Sequence, residues 1–485
     1  MPNASDRPFV TVVVPVYGNP TVLKTCLASC RAHVDHRHRI LVIDDAGPDG
    51  DAVERVARAE LDGHPGFHFE RQPHNLGFVR TCNRAALEID GTDNDILLLN
   101  SDTVVTAGFL EEMQAVLAAC DRHGACCPRS DHATILSVPG PEPFARWQAL
   151  RERLPRWSVM PTGVGFCMLI RRSVIREHGL FDEIYGRGYS EENDFCCRIN
   201  RHGYSTVAAN RAFVYHAEHG SFKAQDKAEQ EARNAPNLQR RYPEYWPSVR
   251  DHLHWYRGAA EHFAAHLGLP AGRPAVAIDV SRAHRADPGA DAYVREILRA
   301  LPQQLAPWAD VTVITETTAP ASTFDLVFVP HPILRLGHLA FVNRLAPRVV
   351  VTVHDEIDVR SHRQRTPERE HAFRTALRWA DAVIATGAAA LRRIEAYAAS
   401  AGIALRESQV IEPGSDDVLQ QTSDMLRRLA LRPVGPKLEE RFAACEAVEV
   451  ALNAYLQEED ETASRRPRAR VKRWMVKRLV GRDAA

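Results

Sequence analysis

At 485 residues the chain exceeds what one hydrophobic core usually serves, and 45% hydrophobic with 25% charged residues is ordinary for a soluble globular protein. Two domains with helical extensions are expected. A formal net charge of -1 excludes a global electrostatic drive toward nucleic acid or a membrane, so any such partner must rely on a local patch.

Residues 1–8 are polar and lead straight into a strand-like segment, without the basic, apolar and small-residue order of a secretory signal. No stretch reaches the roughly 20 uninterrupted apolar residues of a membrane-spanning helix, so a cytoplasmic protein is expected. The ten cysteines include the neighbours Cys126-Cys127 and Cys196-Cys197 and lack the CxxC spacing of zinc or redox sites, which predicts reduced, partly buried thiols.

The β-branched run over residues 9–14, stopped by Pro15, predicts a strand buried on both faces. A helix over 21–32 follows, then the apolar run 40–43 ending in Asp44-Asp45, a helix over 51–61, and strands at 67–69 and 96–99, the last ending in Asn100-Ser101-Asp102. Strands alternating with helices at this spacing predict a wound α/β sheet, whose ligands bind beyond the carboxyl ends of the strands. Both acidic clusters stand at such ends. Residues 221–272 turn polar and aromatic and predict helices. A second alternation has strands at 275–278, 311–314, 326–329, 349–353 and 382–385, a second Rossmann-like α/β domain. After Gly414 the chain predicts helix and ends in a basic tail. The expected organisation is a first domain over 1–225, a helical extension over 226–272, a Rossmann-like domain over 273–418 and a helical region over 419–485.

Several motifs occur in a fixed order: Pro15-Val16-Tyr17, Asp44-Asp45, Asn75-Leu76-Gly77-Phe78 with Asn83, Asn100-Ser101-Asp102, Gly165-Phe166-Cys167, Ser190-Glu191-Glu192-Asn193-Asp194, and Val214-Tyr215-His216. Singly they are weak; together they resemble family 2 glycosyltransferases of the GT-A fold, particularly rhamnosyl- and galactofuranosyl-transferase-like members. The resemblance implies an inverting, metal-dependent transfer of sugar from a nucleotide-diphosphate donor to a glycan or lipid-linked acceptor, as in bacterial surface polysaccharide or O-antigen assembly. It places Mg²⁺ or Mn²⁺ on Asp102 and His216, with Asn100 replacing the first acid of the family's metal motif. A cation holding diphosphate oxygens makes a better leaving group, and hard cations favour carboxylate oxygen.

By the same resemblance, Asp44 meets the donor's base or ribose, Pro15-Val16-Tyr17 shapes the pocket wall, and Asp45, Asn75, Asn83, Asn100 and Ser101 belong to the donor side. Glu192 takes the general-base position with Glu191 beside it. The family more often has aspartate second, so Glu191 and Asp194 remain alternative bases. Competing readings are a helix cap for Asp102 before a helix over 106–117, turn chemistry for Asp44-Asp45, and helix-dipole acids for the 191–194 run. The processive members' Gln-x-x-Arg-Trp motif does not occur, so one or a few sugars per binding event are expected.

The second half resembles the N-terminal half of family 4 glycosyltransferases, which have the two-domain GT-B fold, and stops where that family's donor-binding domain would begin. It is expected to bind acceptor, to self-associate as a homo-oligomer contact, or to act as scaffold; His354-Asp355 is its candidate polar pair, read equally as a buried strand-end pair with a structural role. Residues 465–482 carry clustered Arg and Lys with Val471, Trp474, Met475 and Leu479 at helical spacing, which suits either an anionic membrane surface, the inner face of the plasma membrane, or a solvated tail. The rival to an enzyme is a catalytically decayed transferase serving as an assembly scaffold. A nucleotidyltransferase would need a glycine-rich loop after the first strand, where Pro15-Val16-Tyr17-Gly18-Asn19 stands.

Overall fold

The computed structural model describes residues 8–217, 224–253, 258–265, 270, 272–281, 288–315, 324–354, 367–415 and 417–434. The chain divides into two compact units, Met1–Leu253 and one beginning at His254. No helix among the described residues is long and apolar enough to cross a membrane. Nine cysteines fall in these residues, all free and all but Cys120 buried.

The first unit holds β1 (Val10–Val16), β2 (Arg39–Asp44), β3 (Phe67–Arg71), β4 (Asp95–Leu99), β5 (Thr103–Val105), β6 (His123–Arg129), β7 (Trp157–Met160), β8 (Cys167–Ile170) and β9 (Ser205–His216). They form one sheet in the order β3-β2-β1-β4-β8-β6-β9-β5, with β7 on β9. The β3-β2-β1-β4 half is parallel. From β8 onward the sheet turns mixed, β8 lying antiparallel to β4 and β6. Every residue of β4, and all of β1 but Pro15, is buried, because helices cover both faces of the parallel half. Chain order reverses between β1 and β4, which puts the ends of those two strands side by side at a topological switch point.

The expected helix over 21–32 runs Pro20–His33, capped by Asn19, whose Oδ1 accepts from the Val22 amide at 3.3 Å. The helix expected over 106–117 instead begins at Phe109 with Gly108 at its cap, while Asp102 precedes β5. Asp102 is therefore not a helix cap. The polar stretch after β9 forms helices Ala224–Arg241 and Tyr245–Asp251; their Leu238 and Val249, with Tyr242 between the two helices, enter the first unit's core.

At the foot of β1 the Val10 amide donates to His38 Nδ1 at 3.1 Å, so that nitrogen must carry a lone pair. Burial, then the charge of Arg37, holds the His38 imidazole down to about 4. Above the ordinary value near 6.5 folded and unfolded chains are both neutral here; between about 6.5 and 4 only the unfolded chain takes the proton. Stability is expected to fall as pH drops through that interval, by up to about 3 kcal/mol from this group. Urea unfolding at pH 7 and pH 5 checks it: His38→Asn should narrow the gap, and an unchanged gap refutes the assignment.

The second unit holds β10 (Ala275–Asp279), β11 (Asp310–Ile314), β12 (Leu326–Val329), β13 (Val349–Val353), β14 (Ala382–Ala385) and β15 (Ser408–Val410), parallel throughout in the order β11-β10-β12-β13-β14-β15. Five of these strands match the expected runs. After Gly414 the described chain forms the helix Val418–Ala430; residues 465–482 lie outside the described residues.

Candidate active site

Parallel register levels Val16 with Asp44, so the loops after β1 and β2 emerge together. They touch backbone to backbone. A Cβ at Gly47 would stand 2.5 Å from the Gly18 nitrogen, so this contact admits only glycine. Pro15 is half-buried, Val16 is buried and Tyr17 exposes its ring beside this contact. Asp44 is fully buried. Its Oδ1 accepts from the Gly47 amide at 3.0 Å, and Oδ2 lies 3.1 Å from Arg71 Nε as an ion pair without an aligned hydrogen bond. Burial pushes its pKa up, against the pull of that amide and of Arg71.

Asp45 turns the other way. Its two oxygens accept from the Leu76 and Gly77 amides at 2.7 and 2.9 Å, fixing the loop that carries Asn75. Asn75 is half-buried and its Oδ1 is buried without a hydrogen-bond partner among the described residues. Asn83 closes both ends of its amide on the Phe181 main chain, at 2.8 and 3.0 Å.

After β4 the Asn100 amide donates to the Phe166 carbonyl at 2.8 Å, and the Asn100 carbonyl accepts from Thr103 Oγ1 at 2.8 Å. Asn100, Ser101 and Asp102 are half-buried. β5 then pairs antiparallel with β9, setting Thr103 opposite His216, and the Ala217 amide donates to the Asp102 carbonyl at 3.0 Å. Chain neighbours so remote meet through this short pairing. The His216 amide donates to Asp131 Oδ1 at 3.0 Å, and its ring lies stacked on Phe166, centroids 5.0 Å apart. Nδ1 stands 2.7 Å from the His132 carbonyl, which can only accept, so Nδ1 carries the proton. In the neutral ring Nε2 then presents a lone pair to Asp102 Oδ1, 3.5 Å away. Two acceptors face each other across a gap suited to a proton or a cation.

The acids lie after an irregular turn. Gly186, Gly188, Tyr189 and Ser190 all have positive φ, the last two at 70° and 81°, where a side chain is strained. The helix Glu191–Arg201 follows. Glu191 is buried and Glu192 half-buried, and one carboxylate oxygen of each has no hydrogen-bond partner among the described residues. Burial raises both pKa values, Glu191 furthest because the Glu192 charge adds to it. Asp194 is also buried, with Oδ2 receiving the Tyr185 hydroxyl at 2.9 Å and Arg241 Nη1 at 3.1 Å.

The Asp102–His216 pair and the acid run are joined by one dipeptide. Phe166 stacks on His216, and a Cβ on its neighbour Gly165 would touch Glu192 Cγ at 3.7 Å. Tyr189 shares the same field: burial, then the charges of Glu231, Glu191, Glu192 and Asp102, push its hydroxyl up to about 12.

Residues 11–179 match the model of glycosyl transferase family 2. This segment is a family 2 glycosyltransferase domain. The match takes in Asp44, Asp45 and Asp102 and ends before Glu191 and His216. The first unit is thus a GT-A-like glycosyltransferase domain, followed by a separate parallel-sheet domain. No curated protein matches the chain significantly. Among solved structures, the chain aligns with GalNAc-T7 crystallised with UDP, GalNAc and Mn²⁺ at 14% identity and TM-score 0.39, over 53% of this chain and 52% of that one. It also aligns with the mannosyltransferase PcManGT from Pyrobaculum calidifontis, in complex with GDP-Man and Mn²⁺, at 17% identity and TM-score 0.40, over 64% of this chain and 85% of that one. The chain therefore spans about half the length of the first of these structures.

Sequence reasoning passed over four contributors to this region: the His132 carbonyl, the Asp131 carboxylate, Arg71 beside Asp44, and Asn234, described below. A main-chain acceptor leaves no trace in side-chain identity. The Phe166 ring lay within a quoted motif, but its partner is 50 residues away.

In the second unit Asp279, at the end of β10, sits 2.7 Å from His338 Nε2, and the His331 ring stacks on His338 with centroids 5.3 Å apart. Burial, then His338, lowers the His331 pKa to about 4. His354 Nε2 lies 3.3 Å from the Pro330 carbonyl and its ring packs edge-on to Tyr293; Asp355 lies outside the described residues. Among the described residues of the chain, no three His, Cys, Asp or Glu side chains converge closely enough to hold a metal ion by themselves.

Proposed function

We propose that the first unit is an inverting, metal-dependent glycosyltransferase that moves a sugar from a nucleotide-diphosphate donor to a glycan or lipid-linked acceptor, as in bacterial surface polysaccharide or O-antigen assembly. The observation that carries this reading is the pair of facing acceptors, His216 Nε2 and Asp102 Oδ1 at 3.5 Å, beside the Gly165-Phe166 step to Glu192. Asp102 and His216 fit a divalent cation, Mg²⁺ or Mn²⁺, as one hard oxygen and one imidazole ligand whose other nitrogen is already fixed by a carbonyl. Remaining positions would be filled by diphosphate oxygens and water. When bound, that cation neutralises charge developing on the departing diphosphate.

The chain's own residues do the rest. Asp44 and Asn75, with Pro15, Val16 and Tyr17, form the base and ribose side, where the Asn75 oxygen awaits a donor; Asn100 and Ser101 line the approach to the cation. Asp45 holds the loop that carries Asn75, and Asn83, on the same donor side, ties its helix to the Phe181 main chain. Glu192 takes the proton of the acceptor hydroxyl as that oxygen attacks the anomeric carbon from the face opposite the diphosphate, and the single displacement inverts configuration. Burial raises its pKa, which makes the carboxylate a better base; Glu191, raised further because the Glu192 charge adds to burial, stands beside it. Asp194, engaged by Tyr185 and Arg241, holds the helix. The second unit is proposed as half of a family 4-like transferase that binds acceptor or assembles the enzyme, and the tail 465–482 as its contact with an anionic membrane on the cytoplasmic side.

Melting temperature with UDP-, dTDP- and GDP-sugars, with and without Mn²⁺, tests the reading. One donor at about 100 times its Kd should add about 2.7 kcal/mol of stability, and only with metal. Absence of any metal-dependent shift would favour a decayed transferase acting as scaffold.

A further inference from the structure

We propose that Asn234 is a positioning residue for the acid pair, acting through the main chain of the turn that precedes Glu191. The inference deepens the assignment of Glu192 as base and rests on it.

Asn234 lies in the helix Ala224–Arg241, beyond the segment that matches the family, and is 1% exposed. Its Nδ2 stands 3.0 Å from the Tyr185 carbonyl, 2.8 Å from that of Gly188 and 2.9 Å from that of Tyr189. One amide group thus gathers three carbonyls of a five-residue turn. That turn needs an external hold, because Tyr189 and Ser190 both sit in the left-handed region and persist there only if their surroundings determine them. The residues that follow directly are Glu191 and Glu192.

The clamp itself is anchored. Arg241, two turns further along the same helix, pairs with Asp182 at 2.7 Å and Asp194 at 3.1 Å, one before the turn and one after it. Leu238 and Tyr242 sink into the core. The helix therefore grips the turn from both sides, and the direction in which Glu192 leaves the turn is set by Asn234. Its contacts do not touch Asp102 or His216, so the donor end should not depend on it.

The test uses the full chain. Asn234→Asp keeps the shape but sets an acceptor against three carbonyls; Asn234→Ala removes the donor and admits water. We expect kcat to fall by about 100-fold in Asn234→Asp, as for a reacting group displaced by about 1 Å. Nucleotide affinity in Mn²⁺ should stay within about 2-fold, a loss confined to the reacting step. Amide exchange across 186–192 should quicken. If Asn234→Asp does not fold, Asn234→Ala is read the same way, with melting temperature and nucleotide binding certifying the fold. A folded variant with kcat within about 3-fold of wild type, or with nucleotide affinity and kcat falling together, overturns the positioning role. Unchanged exchange across 186–192 overturns the clamp. A wild-type chain without metal-dependent turnover of any nucleotide sugar overturns the assignment of the base instead, while the exchange readout still reports on the clamp.

Discussion

Glu192→Gln should lower turnover by about 10²- to 10⁴-fold, the range a positioned general base contributes, while leaving metal-dependent nucleotide binding intact. The amide preserves the volume against Gly165 but cannot take the proton of an attacking hydroxyl. The pH profile adds a second check. Because burial raises the Glu192 carboxyl above its ordinary value, kcat/KM should decline on the acid side at a higher pH than a solvated glutamate would give, and the ionised form works above that limb. Glu231, whose charge helps raise this carboxyl, supplies the control. Glu231→Gln removes a negative neighbour, so the acid limb should move to lower pH. Full turnover in Glu192→Gln would reassign the base to Glu191, whose own Gln variant is the next to measure.

Asp102→Asn should remove metal-dependent donor binding and lower transfer on the order of 10³-fold, several kcal/mol of leaving-group stabilisation. The change retains size and the main-chain bond from Ala217, so β5 should still pair with β9. A titration of melting temperature with Mn²⁺ in the presence of nucleotide separates this from Glu192→Gln: the metal response should vanish in the first variant and survive in the second. A metal response that persists in Asp102→Asn would move the cation elsewhere.

The strands that sequence reasoning found include most of those buried on both faces, together with the partly exposed β3 and β11, while the buried β6 and β8 were not read as strands. The apolar runs of β1, β2 and β4 and of β10, β12 and β13 declare themselves because helices cover both sides, and the acids at their ends mark where ligands collect. β5 did not declare itself: three residues carry no periodicity, and the stretch reads equally as the approach to a helix. Its existence depends on β9, about 110 residues later, which also supplies His216. The gathering of Asn234 onto the turn at 185–189 is of the same kind. A lone asparagine in a polar helix looks like surface until the partner carbonyls arrive from elsewhere. Asp45 falls between, its loop-holding role visible from the turn-rich run around it but its partners Leu76 and Gly77 not.

Gly165 and Phe166 are consecutive, with one ring against His216 and one bare α-carbon against Glu192. Since a peptide plane does not stretch, the two residues that would serve the departing and attacking ends of the proposed reaction lean on neighbouring points of one rigid peptide unit.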